Sequence, residues 1–136
     1  YGGFVRQGSS ALSGKDPSRI DRTAAYAARQ AAVSLVAAGL AEDVEVQLSW
    51  VAGDEGPASV EVDSFGTGER PDEALSDLLC GAMDFRIAAI LERLDLWGLP
   101  EARGGRFYRE LARYGHFGRA DLDLPWDRPV ELGRDV

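Results

Sequence analysis

An alanine-rich helix is the feature that most limits how this chain can fold. Apolar side chains recur in it at three- and four-residue steps: Ile20, Ala24, Ala27, Ala31 and Leu35. Such steps place side chains on one face of a helix. Asp16 is a suitable N-cap, Pro17 a suitable first helical residue and Gly39 a suitable stop. The pattern therefore predicts a helix from Pro17 to about Gly39, with small side chains that allow close packing on a sheet.

Two short strands are predicted after this helix. Apolar and polar residues alternate over residues 44–50 and again over residues 60–63, which is the period of a half-buried strand. The connection over residues 52–57 is short and contains Gly53, Gly56 and Pro57. Because so short a turn cannot carry a crossover, the strands are expected to pair antiparallel.

The distal half is predicted to be mostly helical. Apolar residues at helical spacing mark two short helices, one with Leu75, Leu78, Leu79 and Ala82, and one with Ile87, Ile90, Leu91 and Leu94. Residues 97–105 are predicted to form a loop, residues 106–113 a last helix, and the tail after Tyr114 irregular structure. The whole pattern indicates an α+β fold, with a small antiparallel or mixed sheet and helices packed on one of its faces.

Length and charge exclude several classes of protein. A chain of 136 residues is expected to form one domain. Its formal net charge of −8, without a cluster of basic residues, argues against a nucleic-acid partner. No apolar run reaches the roughly twenty residues of a membrane-spanning helix, so no membrane association is expected.

Cys80 is the only cysteine, which excludes an internal disulfide. Its apolar neighbours Leu78, Leu79 and Met83 predict a buried thiol rather than a nucleophile. A reduced, buried cysteine is consistent with the cytoplasm. The only histidine, His116, is interpreted as structural, and Asp54 and Glu55 are expected to face water in their turn.

Lys15 is the only lysine beside fourteen arginines, and small residues precede it over positions 8–14. A lysine supplies a compact charge where an arginine supplies a planar fork, and small residues let backbone N–H groups approach an anion. Phosphate oxygens are the expected ligand. The alternative is a compositional bias that left one lysine by accident. A Walker A loop is excluded, because Gly8 and Gly14 are one residue too far apart and Asp16 follows the lysine.

Two motifs, one near each end of the chain, carry a family resemblance. The first comprises Tyr1-Gly2-Gly3, Ala11, Ser13-Gly14-Lys15-Asp16-Pro17-Ser18, Asp21-Arg22 and the alanine-rich residues 24–29. The second comprises Tyr114-Gly115-His116-Phe117-Gly118-Arg119 and Leu124-Pro125-Trp126-Asp127. Together they resemble the carboxy-terminal domain of methionine adenosyltransferase, also called S-adenosylmethionine synthetase.

The resemblance implies a specific chemistry. Residues 1–136 would be part of a longer polypeptide whose amino-terminal and central domains are absent here. The enzyme would form S-adenosylmethionine from ATP and L-methionine, with release of phosphate and pyrophosphate. Ala11 and Lys15 would bind ATP, with Lys15 acting in catalysis on the polyphosphate, and Arg19 would bind methionine. Mg²⁺ and K⁺ are implied, with ligands mainly outside this chain, as is a cytoplasmic homo-oligomer, dimer or tetramer, with its active site at a subunit interface.

The chain departs from the family pattern at several positions. A His-Gly-Gly-Gly run becomes Gln7-Gly8-Ser9-Ser10, a phenylalanine becomes Leu12 and a lysine becomes Arg19. Serine adopts positive φ less readily than glycine, so these serines would restrict the backbone conformations that the loop can adopt around a ligand. Asp21 falls on a family aspartate near the ionic cluster, although it could instead stabilise the first helical turn through the helix dipole.

Two functions therefore stay open. This chain is either part of a diverged enzyme that is inactive as a fragment, or a non-catalytic paralogue that serves as an assembly or regulatory module. The family's strand before Tyr1 would be missing in either case, and the sheet edge that it leaves is expected to favour aggregation of the isolated piece.

Overall fold

The computed structural model describes residues 1–8 and 11–133. Within them the chain forms five α-helices, two strands and one 3₁₀ turn, namely α1 (Ile20–Ala37), β1 (Glu45–Ser49), β2 (Ser59–Asp63), α2 (Asp72–Ala82), α3 (Ile87–Arg93), α4 (Leu99–Ala102), α5 (Phe107–Tyr114) and the 3₁₀ turn Pro125–Asp127. This content confirms the α+β class.

The two strands form an antiparallel sheet, as predicted. Val46 lies opposite Val62, and Leu48 lies opposite Val60. These four side chains share one face and pack, partly buried, against the core, while the polar residues between them are exposed on the other face. Helix α1 contacts β1 and helix α2 contacts β2. The alternation seen in the sequence therefore separates a face covered by helices from an exposed face.

Helix α1 begins later than the sequence predicted. Its N-cap residue is Arg19, and Ile20 is its first helical residue. Asp16 does not cap the helix, because its Oδ1 atom accepts hydrogen bonds from the backbone N–H and the hydroxyl of Ser18, at 2.9 and 2.6 Å. Aspartate commonly closes a local turn in this way, in competition with capping. Asp16 and Pro17 therefore belong to the loop that carries Lys15.

The predicted end of α1 is confirmed. Gly39 has a φ of +72°, and its N–H donates to the Val36 carbonyl at 3.0 Å, while the N–H of Leu40 donates to the Leu35 carbonyl at 3.0 Å. This pair of bonds is the Schellman arrangement, which requires the left-handed backbone that glycine adopts without strain.

The distal half confirms three predicted helices and corrects two predictions. Helices α2, α3 and α5 lie where the periodicity placed them. Helix α4 lies inside the predicted loop, because Pro100 occupies its first turn, where proline is tolerated. Cys80 is exposed, so the prediction of a buried thiol was wrong. Its neighbour Leu79 faces the core, and the next residue of a helix points about 100° away.

The core is centred on two stacked aromatic rings. Tyr26 from α1 and Trp126 from the 3₁₀ turn have ring centroids 3.7 Å apart and planes inclined by 2°, and both are fully buried. Phe107 from α5 meets Trp126 edge-on at 6.0 Å. The Trp126 indole N–H donates to the His116 carbonyl at 2.6 Å. The tail that the sequence predicted to be irregular is thus fixed onto α1.

His116 is buried beside this stack, with 9% of its surface exposed. Its Nδ1 atom is 2.7 Å from the Tyr26 hydroxyl. Burial, together with the positive charge of Arg22, lowers the pKa of the imidazole to about 4. His116 is therefore neutral at ordinary pH, in agreement with its interpretation as a structural residue.

Acid is expected to destabilise the fold through His116. In the unfolded chain the imidazole has its ordinary pKa near 6.5, so the unfolded state binds the proton first as the pH falls from about 6.5 to about 4. The associated stability is present above this window and is lost within it, by at most about 3 kcal/mol. Urea unfolding followed by circular dichroism at pH 4 to 7 measures the effect.

The matched control is His116→Gln, which cannot titrate. Carboxylates contribute equally to the pH dependence of both proteins, so the difference between them isolates the imidazole. A pH slope between 4 and 6.5 that is the same in both proteins would show that His116 does not carry this linkage.

Candidate functional site

Lys15 lies in the loop that leads into α1. Gly14, just before it, has a φ of +80°, a backbone conformation suited to glycine. The Lys15 ammonium is 2.7 Å from a carboxylate oxygen of Asp21, and their side chains are 21% and 42% exposed. This contact lowers the pKa of the Asp21 carboxyl. Asp21 also lies in the first helical turn, so the two roles weighed for it from the sequence are compatible.

Arg22 fixes the backbone of Lys15 through a hydrogen bond. The Arg22 guanidinium is 2% exposed, and its Nη1 atom donates to the Lys15 carbonyl at 2.6 Å. Its Nε atom donates to the Tyr26 hydroxyl at 3.0 Å, and its Cζ lies 4.2 Å from the centre of the Tyr108 ring. Within residues 1–8 and 11–133 no carboxylate forms a salt bridge with it.

The other side of the loop is held by His116. The Ser13 hydroxyl oxygen is 2.9 Å from the Nε2 atom of His116. Leu12, immediately before it, is buried in the core with 8% exposure, whereas Ser13 and Gly14 are exposed. The loop is therefore exposed at its tip and fixed at both of its flanks.

The loop is locally positive in a chain of net negative charge. Three cations lie in residues 15–22, Lys15, Arg19 and Arg22, against the two carboxylates of Asp16 and Asp21. Arg22 contributes to lowering the pKa of Asp16, and Arg19 contributes to lowering that of Asp21. An anion that approached this loop would meet an excess of positive charge.

The structure brings some of the predicted site residues together and leaves others apart. Lys15 contacts Asp21. Ala11 is exposed at the start of the loop. Arg19 is exposed at the N-cap of α1, and no hydrogen bond joins its side chain to any other residue of the described ranges. The expectation for Ser9 and Ser10 lies outside the described residues.

A groove of about 840 Å³ lies between α1 and β1, beyond Asp21. Its walls include Ile20, Asp21, Ala24, Val44 and Val46. The small side chains of α1 on this side leave it open. Leu12 of the loop and Asp21, the partner of Lys15, both line this groove.

The described residues do not form a metal site. No three His, Cys, Asp or Glu side chains in this part of the chain lie together as metal ligands. Asp21 is the one carboxylate in contact with the Lys15 ammonium, and that contact occupies one of its oxygens. In the same part of the chain, no helix is both long and apolar enough to cross a lipid bilayer.

Three residues that hold the loop were missed from the sequence: Arg22, Tyr26 and His116. Signals for two of them were present, because Arg22 and Tyr26 are four residues apart on one helix face and therefore contact the same surface. The contact of that face with His116 spans ninety residues. Spacing along the chain gives no sign of such a contact.

Three similar proteins carry the same name. Residues 1–128 match the family model described as S-adenosylmethionine synthetase, C-terminal domain. The S-adenosylmethionine synthase of Nostoc punctiforme is 55% identical over 94% of this chain and 30% of its own length. That of Synechococcus elongatus is 56% identical over 94% of this chain and 31% of its own. That of Prochlorococcus marinus (strain NATL1A) is 56% identical over 100% of this chain and 33% of its own.

The chain thus spans about a third of the length of these curated relatives. The matched region includes both motifs, the loop of Lys15 and the segment of His116. On this evidence the chain belongs to the family of S-adenosylmethionine synthetase carboxy-terminal domains.

Proposed function

We propose that this chain is the carboxy-terminal domain of an S-adenosylmethionine synthetase, an enzyme that forms S-adenosylmethionine from ATP and L-methionine with release of phosphate and pyrophosphate. Residues 1–136 make one domain, and further domains of the full polypeptide complete the enzyme. The observation that carries the proposal is the Lys15 ammonium, held in a locally positive loop of a domain of this family.

Lys15 acts on the triphosphate. When the methionine sulfur attacks the 5′ carbon of ATP, the leaving group carries about four negative charges, so cations placed at its oxygens stabilise the transition state. The Lys15 ammonium has a partly exposed carboxylate as its partner. A phosphate oxygen can replace that carboxylate at little cost, because exposed ion pairs are worth only about 0–1 kcal/mol.

Arg19 binds the carboxylate of methionine. Its guanidinium offers a planar pair of N–H donors that matches a carboxylate in a bidentate contact. Its exposure, and the lack of a hydrogen bond to any other described residue, leave this fork available. Ala11 is exposed at the start of the loop and contributes contacts to ATP.

The assembly is proposed from the family to which the chain belongs. We place the site at the interface of a homo-oligomer, a dimer or a tetramer, in the cytoplasm, with Lys15 reaching the polyphosphate across the subunit boundary. Among the described residues no three His, Cys, Asp or Glu side chains lie together to hold the enzyme's Mg²⁺, and K⁺ is implied by the family resemblance. Their ligands are expected in the rest of the polypeptide.

A non-catalytic paralogue is the second candidate. The observation in its favour is the ion pair between Lys15 and Asp21, since an ammonium that binds no substrate is expected to pair with a nearby carboxylate. The full-length sequence separates the two candidates. A Gly-Arg-Lys segment before Tyr1 and a His-x-Asp-Lys type of motif further upstream favour the enzyme.

Lys15→Ala in the full-length protein is expected to reduce kcat for S-adenosylmethionine formation by about 10²–10³-fold, because it removes a cation from the developing charge of the leaving group. Steady-state kinetics with ATP and methionine measure the change, and circular dichroism checks the fold. Lys15→Arg keeps the charge and changes its shape, so an intermediate rate is expected. Kinetics of Lys15→Ala equal to those of the parent protein would exclude Lys15 from the reaction.

Arg19→Ala is expected to raise the KM for methionine at least about tenfold while changing the KM for ATP much less, because it removes the bidentate partner of the substrate carboxylate. The matched control is Arg128→Ala, which removes an exposed arginine that pairs with Asp123. If both variants keep the parental KM for methionine, Arg19 does not bind this substrate.

A further inference from the structure

We propose that a closed ring of hydrogen bonds sets the position of Lys15, and that Arg22, Tyr26 and His116 are positioning residues for the anionic substrate. This inference rests on the proposed function of Lys15. It adds three residues that do not touch the ligand and act through the backbone of the loop.

The ring can be followed from atom to atom. The Lys15 carbonyl accepts from Nη1 of Arg22 at 2.6 Å, and Nε of Arg22 donates to the Tyr26 hydroxyl at 3.0 Å. That hydroxyl is 2.7 Å from Nδ1 of His116. Nε2 of His116 is 2.9 Å from the Ser13 hydroxyl oxygen. The peptide bonds from Ser13 to Lys15 close the ring.

The donor and acceptor roles within the ring follow from Arg22, the one member that can only donate. A guanidinium has no acceptor atom, so the Tyr26 oxygen accepts from Arg22. The buried Tyr26 O–H is satisfied only if it donates to Nδ1 of His116. The neutral imidazole then carries its proton on Nε2 and donates it to the oxygen of Ser13. The Ser13 O–H is left to donate outward, on the exposed side of the loop.

The buried members of the hydrogen-bonded ring are fixed in the core, and its exposed member, Ser13, belongs to the loop. Arg22 is 2% exposed, Tyr26 0% and His116 9%, and Tyr26 is stacked on Trp126. Ser13 belongs to the exposed tip. Binding an anion to a loop already held in place avoids the entropy cost of ordering it, which is the advantage of a pre-organised site.

Stability alone does not account for the ring. A buried arginine without a carboxylate partner carries a large desolvation cost, and the Nη2 atom of Arg22 is buried without a hydrogen-bond partner in the described ranges. An apolar residue at position 22 would pack between Tyr26 and Tyr108 without that cost. An arginine at position 22 does two things that an apolar residue would not. It donates a hydrogen bond to the Lys15 carbonyl, and it adds positive potential at the loop.

Two variants in the full-length protein break the hydrogen-bonded ring but keep the aromatic stack of Tyr26 on Trp126. Tyr26→Phe deletes the hydroxyl and keeps the aromatic ring that packs on Trp126. His116→Asn keeps an amide near the position of Nδ1 and is too short to reach Ser13. His116→Gln extends the amide to the position of Nε2 and is expected to restore the contact with Ser13.

The matched control is Tyr108→Phe. Its hydroxyl donates to the Leu96 carbonyl and lies outside the ring, while its aromatic face stays beneath Arg22. The variant therefore loses one tyrosine hydroxyl, as Tyr26→Phe does, and leaves the ring closed.

Two measurements on all variants report on the loop. The first is amide hydrogen exchange of residues 11–18 followed by mass spectrometry. The second is the Kd for inorganic tripolyphosphate by titration calorimetry, with the KM for methionine as reference. Tyr26→Phe and His116→Asn are expected to speed the exchange of the loop and to raise the Kd about fivefold to tenfold, the effect of losing one hydrogen bond. Tyr108→Phe is expected to stay near the parental values, and His116→Gln, which regains the contact with Ser13 but not the one with Tyr26, is expected to lie between Tyr108→Phe and His116→Asn.

The proposal would be overturned if Tyr26→Phe and His116→Asn had the same loop exchange rates and the same Kd for tripolyphosphate as Tyr108→Phe. If either variant fails to fold, Ser13→Ala decides, because it opens the ring at an exposed side chain; unchanged loop exchange in that variant also overturns it. Lys15→Ala in the same series separates the two proposals. If it weakens tripolyphosphate binding and the ring variants do not, only the ring is wrong, whereas parental binding in Lys15→Ala removes both.

Discussion

The stack of Tyr26 on Trp126 is the interaction on which the rest of the structure depends. It joins the first helix to the 3₁₀ turn near the end of the described chain, two elements separated by almost the whole domain. Because the Trp126 indole N–H also donates to the His116 carbonyl, the stack fixes the only histidine beside the loop of Lys15. The 3₁₀ turn is the one regular element within residues 115–127, so the stack, together with the hydrogen bond from Arg29 to Asp127, attaches this segment to α1 and brings the two motifs together.

Much of the fold could be predicted from the sequence because it depends on local periodicity. The apolar stripe of α1, the alternation of the two strands and the spacing in α2 each correspond to an observed element. Two of the errors have different causes. Asp16 closes a turn with Ser18 instead of capping the helix, a local contact that periodicity does not show. Cys80 is exposed because it lies off the helix face that carries Leu75 and Leu79, which the helical spacing does indicate.

The candidate site was predictable in part, for a similar reason. The single lysine marked the loop, and the structure places it in an excess of positive charge. The residues that hold the loop were not predictable, because the contact of Ser13 with His116 spans 103 positions and depends on the aromatic stack. Ser9 and Ser10, which the sequence identified as departures from the family pattern, lie outside the described residues. Their effect on ligand binding stays a prediction.

Lys15 in the loop and Arg22 in α1 face opposite physical demands, and this contrast bears on the proposed function. Under the proposed function, the Lys15 ammonium changes partners, and a partly exposed pair with Asp21 allows that change at low cost. In the same proposal Arg22 keeps a fixed position, which its burial and its bond to the Lys15 carbonyl provide. A module that only supports assembly would gain from neither property, since a buried cation without a carboxylate partner costs free energy and an exchangeable ammonium adds little stability. A site for a polyphosphate gains from both, because the backbone stays in place while the charge moves from the aspartate to the ligand.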